Sequence, residues 1–254
     1  MAAPERSISP PDAGPLDRPS GPTTASTRKT AVLIGLLFLA ATVAFIFADS
    51  LTSGVLGSPD FPAGASTQTG ALATGALLLA GQFGVVGIAV LLFPLVKHHG
   101  EALALAHIGF RVTELAASLF YLAVPLMVIE LGAGLRDGTI DASTSASLGA
   151  SLKAQQGVAT MLIYLVVTAA GLCMSILLHR SGLVPRWLAV LGIVSYPTLL
   201  AGCVLDLFGV VDVTQGVGLV ALVPGGVFEV VLPIWLFVKG FTFPVHTRSQ
   251  AIPR

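Results

Sequence analysis

Six stretches of this 254-residue chain are each apolar for long enough to cross a bilayer, a length of about 20 residues when helical. They are Thr30–Ala48, Ala71–Val96, Ala102–Leu131, Gly157–Leu178, Trp187–Val211 and Val217–Val238. Their apolar character is continuous rather than alternating, and each is longer than a strand, which points to helices and away from a β-barrel. In hydrocarbon a helix satisfies its own backbone hydrogen bonds, so each run predicts one spanning helix. The expected fold class is an all-α membrane protein, a bundle of six transmembrane helices. Composition agrees. Charged residues are 10 % and hydrophobic residues 54 %, against roughly 25 % charged in soluble domains. That balance excludes a disordered chain, a nucleic-acid binder and an ordinary soluble globule. The expected partner is the lipid bilayer, with no nucleic acid.

The segments between the runs give organisation and orientation. Residues 1–28 are rich in Pro, Ser, Thr and Gly with almost nothing large and apolar. They are expected to be a disordered tail. A signal peptide is the competing reading of this tail and the first run, but the run exceeds a usual h-region and no A-x-A site follows. Residues 29–241 form the transmembrane domain and 242–254 a C-terminal tail. The segments 49–70 and 132–156 read as Gly/Ser/Thr-rich loops, whereas the links 97–101 and 179–186 are short and basic. Arg28, Lys29, Lys97, Arg180, Arg186 and Lys239 fall on one side with both tails, and only Arg136 and Lys153 on the other. The positive-inside rule puts both ends in the cytoplasm. Ser66 and Ser145 are then expected outside. Trp187 and Trp235 stand at the cytoplasmic ends of their runs, where interfacial aromatics belong. Cys173 and Cys203 lie within apolar runs, outside any disulfide framework or metal motif. They are expected to remain unpaired.

Three motifs carry a resemblance. These are Gly109-Phe110-Arg111-Val112-Thr113-Glu114, the run from His179-Arg180-Ser181-Gly182 to Pro185-Arg186-Trp187-Leu188, and the run from Phe228-Glu229-Val230-Val231 to Lys239-Gly240-Phe241. In this order and spacing the chain resembles the DUF4386 family of bacterial integral membrane proteins, from about Lys29 to Phe241. The resemblance implies a multi-span protein of the bacterial plasma membrane. It implies no reaction and no catalytic residue.

Ionisable groups inside hydrocarbon cost several kcal/mol unless paired or hydrated, so each one needs a reason. The third run carries His107, Arg111, Glu114, Ser118 and Tyr121 at offsets 0, 4, 7, 11 and 14. At about 100° per residue these fall within roughly 40° of one line, a single polar stripe facing the bundle interior. Arg111 and Glu114, three apart, can touch. At 1.5 Å per residue Arg111 lies ~14 Å and Glu229 ~15 Å from the cytoplasmic ends of their runs. A pair between Arg111 and Glu229, with Glu114 sharing the guanidinium, is therefore expected. Tyr196 comes out near the same depth, within an expected break at Ser195-Tyr196-Pro197-Thr198. Pro94, Pro125, Pro197, Pro224 and Pro233 are expected to kink or break their helices, with Pro224-Gly225-Gly226 the foremost bend. The small residues of Gly81-Gln82-Phe83-Gly84-Val85-Val86-Gly87 suit close helix packing. Asp49 and Asp206 read as boundary residues. His98, His99, His107 and His179 cluster toward the cytoplasmic boundary without a zinc-protease motif. No metal or other cofactor is expected.

Three readings remain open. The polar cluster can be a structural ion pair in a non-enzymatic protein, which stands first. It can be the site of a small-solute or proton-coupled transporter, with a small molecule or ion as ligand. Least favoured is an intramembrane enzyme using interfacial histidines. A cavity reaching Glu229 would favour the second.

Overall fold

The computed structural model describes residues 24–242, so the expectations for residues 1–23 and 243–254 lie outside the described residues. Seven helices account for most of it: α1 (Thr24–Leu56), α2 (Thr69–Ala80), α3 (Phe83–Val96), α4 (Glu101–Arg136), α5 (Ala142–Ser181), α6 (Arg186–Leu207) and α7 (Val223–Val238). No strand occurs among the described residues. Six stretches are long and apolar enough to span a membrane, α2 and α3 together making the second. Their outward faces are apolar: Leu36, Phe47 and Leu77 are more than half exposed, as a lipid-facing surface requires.

Each span packs on its chain neighbours, and α7 returns to α1. The six spans therefore form a closed ring. The described ends of α1 and α7 share one face of it, called here the terminal face. Lys97, Arg180, Arg186 and Lys239 flank the helix ends on that face. Trp187 and Trp235 meet there edge to face, with ring centroids 6.2 Å apart. The chain beyond α7 is tied down by Thr242 N–H donating to Leu183 O at 2.9 Å. Between the terminal face and mid-depth the ring is filled by Phe38, Leu92, Met174, Leu188, Phe228 and Leu232.

Several boundaries differ from the sequence reading, each for a physical reason. The residues 24–28, assigned to a disordered tail, already belong to α1. Extending an established helix adds a hydrogen bond per residue, and Ala, Arg and Lys extend it well. The supposed loop 132–156 is almost entirely helical. Only residues 137–141 link α4 to α5, which begins fifteen residues before the expected Gly157. Leu152 of that early portion is buried with Leu131, Val128, Leu72 and Val55 in a second core at the opposite face. Gly149 admits the Phe61 ring, and Gly132 admits the backbone of Ala65 and Ser66. At 1.5 Å per residue α4 and α5 are about 54 and 60 Å long, so they extend well past a hydrocarbon core of about 30 Å. Ser145, expected to be an accessible outer residue, is fully buried, whereas Ser147 is exposed.

The prolines also behave differently. Pro94, Pro125, Pro197 and Pro233 all lie inside uninterrupted helices, because packed neighbours in a membrane bundle can compensate the lost hydrogen bond. The expected break of α6 at Pro197 is absent. The second span breaks instead at Gly81-Gln82, where Gln82 Nε2 donates to Ala41 O of α1 at 2.9 Å. Just beyond, Gly84 and Gly87 face Leu37 of α1, the close packing read from the small residues. In the sixth span a 3-10 turn, Gly216–Ala221, precedes α7. Pro224 occupies the first turn of α7, where its missing N–H is no loss. Both cysteines are free and buried.

Asp141 caps α5, accepting from the backbone N–H of Ser143 and of Thr144, each at 2.9 Å. The Ser143 hydroxyl and then the Thr144 groups hold its carboxyl below the usual carboxylate range. A lowered folded value stabilises the helix end fully above the unfolded value of about 3.9 and loses that contribution as pH falls through the folded value. Hydrogen exchange at Ser143 and Thr144 should therefore accelerate in strong acid in the native chain. In Asp141→Ala it should already be fast at neutral pH. Equal protection in both proteins at pH 7 would refute the cap.

Candidate functional site

The polar stripe of α4 is buried along its whole length: His107, Arg111, Glu114, Ser118 and Tyr121 are each at most 4 % exposed. The helical spacing that put them on one line also turned that line inward. They do not act as one cluster, however. His107 Nδ1 lies 2.9 Å from Ala170 O of α5, and since a carbonyl only accepts, the ring must donate there. Ser118 Oγ donates back to Glu114 O at 2.9 Å. Tyr121 donates across the ring to Asp49 Oδ1 at 2.6 Å. Arg111 and Glu114 alone of the stripe face the central space.

The pairing differs from the expectation in one respect. Arg111 Nη1 donates to Glu114 Oε2 at 2.7 Å, while Glu229 accepts from Thr42 Oγ1 at 3.2 Å. The expected Arg111–Glu229 ion pair is not formed. A carboxylate three residues along the same helix reaches the guanidinium without ordering a second element, and α1 supplies Glu229 with a hydroxyl donor instead. Arg111 also stacks toward Phe38, 5.9 Å from the ring centroid, a cation–π distance. Arg111, Glu114, Tyr196 and Glu229 come together around one space.

That space is a cavity of about 370 Å³. Every span contributes to its wall, from Phe38, Thr42, Phe45 and Asp49 of α1 round to Glu229 of α7. Gln82 at the α2–α3 break, Tyr164 of α5 and Tyr196 of α6 complete its polar and aromatic lining. Tyr196 is held edge-on to Phe228, centroids 5.8 Å apart, and its ring lies directly on Gly171. The Tyr196 hydroxyl and Arg111 Nε are buried donors without a hydrogen-bond partner among the described residues. One guanidinium faces three carboxylates in this wall, Glu114, Glu229 and Asp49. Among the described residues only Glu114 of the three forms an ion pair.

Asp49 is the residue the sequence reading undervalued. It lines the cavity and anchors a second polar group: Gln156 Nε2 lies 2.8 Å from the Tyr121 hydroxyl and 2.6 Å from Ser53 Oγ. The signal was present. Phe38, Thr42, Phe45 and Asp49 recur at offsets 0, 4, 7 and 11, the same spacing as the α4 stripe. His98, His99 and His179 are exposed on the terminal face. No group of three or more His, Cys, Asp and Glu able to hold a metal occurs among the described residues.

A ring of six apolar spans around a charged interior defines a class, the multi-pass α-helical membrane proteins. Within it, the chain matches the domain of unknown function DUF4386 over residues 33–240 and belongs to that family, in accord with its motifs. No curated protein and no solved structure matches the chain.

Proposed function

We propose that the protein is a small-solute carrier of the bacterial plasma membrane, with both chain ends in the cytoplasm, and that its solute binds in the central cavity. The observation that carries this reading is the wall of that cavity. All six spans line it, and it holds Glu229 and Asp49 without a cationic partner among the described residues. A structural ion pair accounts for Arg111 and Glu114, and Asp49 takes hydrogen bonds from Tyr121 and Gln156, but Glu229 and the space beside it remain without a structural purpose. Its volume lies in the range of small-molecule pockets. Uncompensated carboxylates in a low-dielectric wall are costly, and hydration or a ligand offsets that cost.

Cysteine accessibility tests cavity and orientation together. In a background of Cys173→Ala and Cys203→Ala, Thr42→Cys should react with a small membrane-permeant thiosulfonate, and Leu188→Cys in the packed core should not. In intact cells Thr67→Cys and Ser147→Cys should be labelled by a membrane-impermeant thiosulfonate, and His98→Cys only after permeabilisation. If Thr42→Cys is as inert as Leu188→Cys, the cavity is closed to small molecules and the carrier reading fails. Labelling of His98→Cys in intact cells would invert the orientation.

A further inference from the structure

Resting on the carrier reading, we infer that the solute is a lipophilic cation that enters the cavity sideways from the bilayer, through a gap between α1 and α7. Three independent features lead there. The first is a lateral opening. α1 and α7 touch toward the terminal face, where Gly35 meets Pro233 O and the Phe237 ring. Farther along, past the Thr42–Glu229 contact, Ile46, Gly226 and Val230 line the cavity and are also exposed. A side chain at Gly226 would meet no atom within 4 Å. Ile46 lies seventeen residues past Lys29 and Gly226 thirteen before Lys239, or about 26 and 20 Å along their helices, both inside a hydrocarbon layer of about 30 Å. The outward neighbours Val43, Phe47 and Val227 are exposed and apolar. An aqueous vestibule would have a polar rim; these exposed residues are apolar or glycine.

The second feature is charge. Arg111 is neutralised by Glu114, while Glu229 has only the Thr42 hydroxyl and lies just inside the gap. A positive charge on the solute offsets it, and Asp49 in the same wall adds a second carboxylate of the same sign. An anion would face an unopposed carboxylate in a low-dielectric wall. The third is the lining. Phe38, Phe45, Tyr164 and Tyr196 present aromatic rings to the same space, which attract cations and suit an apolar body. The unpartnered Tyr196 hydroxyl, buried in this wall, adds a polar group that a bound solute can engage.

Tetraphenylphosphonium, tetraphenylborate and tetraethylammonium test the inference by equilibrium dialysis against the full-length purified protein. The first two share shape and lipophilicity with opposite charge, and the third is a hydrophilic cation. Tetraphenylphosphonium should bind saturably, at least about tenfold more tightly than either of the others, the equivalent of one charged contact. Glu229→Gln, which keeps shape, should weaken it by about tenfold, and Glu229→Asp should recover part of the loss. Val227→Trp should slow association while changing the dissociation constant little, since Val227 is exposed beside the gap and does not line the cavity. Equal binding of tetraphenylborate would overturn the charge assignment. Equal binding of tetraethylammonium, or an association rate indifferent to Val227→Trp, would overturn the lateral route. Either result leaves the carrier reading standing if Thr42→Cys still reacts. Absence of saturable binding by all three cations and anions overturns the inference, and with an inert Thr42→Cys it removes both.

Discussion

Replacing Arg111 with alanine should destabilise the protein by about 3–5 kcal/mol, the scale for stranding one partner of a buried ion pair. Both partners are almost fully buried and joined at 2.7 Å, so neither can recover its loss through solvent. The substitution leaves Glu114 without its cation in a wall that already holds Glu229, which places the effect at the upper part of that range. It also removes the group facing the Phe38 ring. Glu114→Ala should cost a comparable amount by stranding the guanidinium. The double variant should lose clearly less than the sum of the two, because the second substitution removes the charge the first had stranded. Unfolding in a graded detergent–denaturant mixture reads all three. Strictly additive losses would show that the two side chains do not depend on each other. Arg111→Met, of similar length without charge, separates lost packing from lost electrostatics and should track the alanine variant.

A second large effect is expected at Gly171. A methyl group there would overlap the Tyr196 ring, which is confined on its other side by Phe228. The overlap falls on the body of the ring rather than on a flexible tip, so Tyr196 or the α5–α6 spacing must move. Overpacking of this kind costs typically 1–3 kcal/mol. Because Tyr196 forms part of the cavity wall, Gly171→Ala should also lower the reactivity of Thr42→Cys or shift its rate. Adding Tyr196→Ala to Gly171→Ala should relieve the clash, making the pair less destabilising than the two singles combined. A Gly171→Ala protein as stable as the parent would mean that the helices part without resistance at this contact.

How much of this was legible in the sequence depended on which forces decided each feature. The spans were legible because length and continuous apolarity are imposed by the bilayer itself. The inward stripe of α4 was legible because helical period turns five polar residues to one side, and their common fate was burial. The depth match of Arg111 with Glu229 followed from counting residues. Their choice of partners did not, since it turned on side-chain reach: Glu114 is nearer to Arg111 along its own helix, and Thr42 of α1 takes Glu229. Nothing apolar marked Thr42 as part of a site; only the Phe38–Asp49 spacing did. The early start of α5 was hidden by its Ser, Ala and Gly content, which reads as loop until Leu152 and Gly149 find partners across the bundle. The proline positions misled for the opposite reason, since packed neighbours absorb a defect that would break an isolated helix.

The closure of the ring by α1 and α7 has a consequence for how the molecule is made. The chain emerges from the ribosome N-terminus first, so the two walls of the lateral gap are the earliest and the latest to arrive. Until α7 is inserted, Thr42 lacks its Glu229 acceptor and the charged interior lies open on one flank. Arg111 and Glu114, three residues apart, can pair as soon as α4 is helical, well before their surroundings are complete. The nascent protein thus carries its most expensive charges already neutralised through the middle of biogenesis. Of the two carboxylates without a cation, Asp49 enters with α1, and Glu229 only with α7.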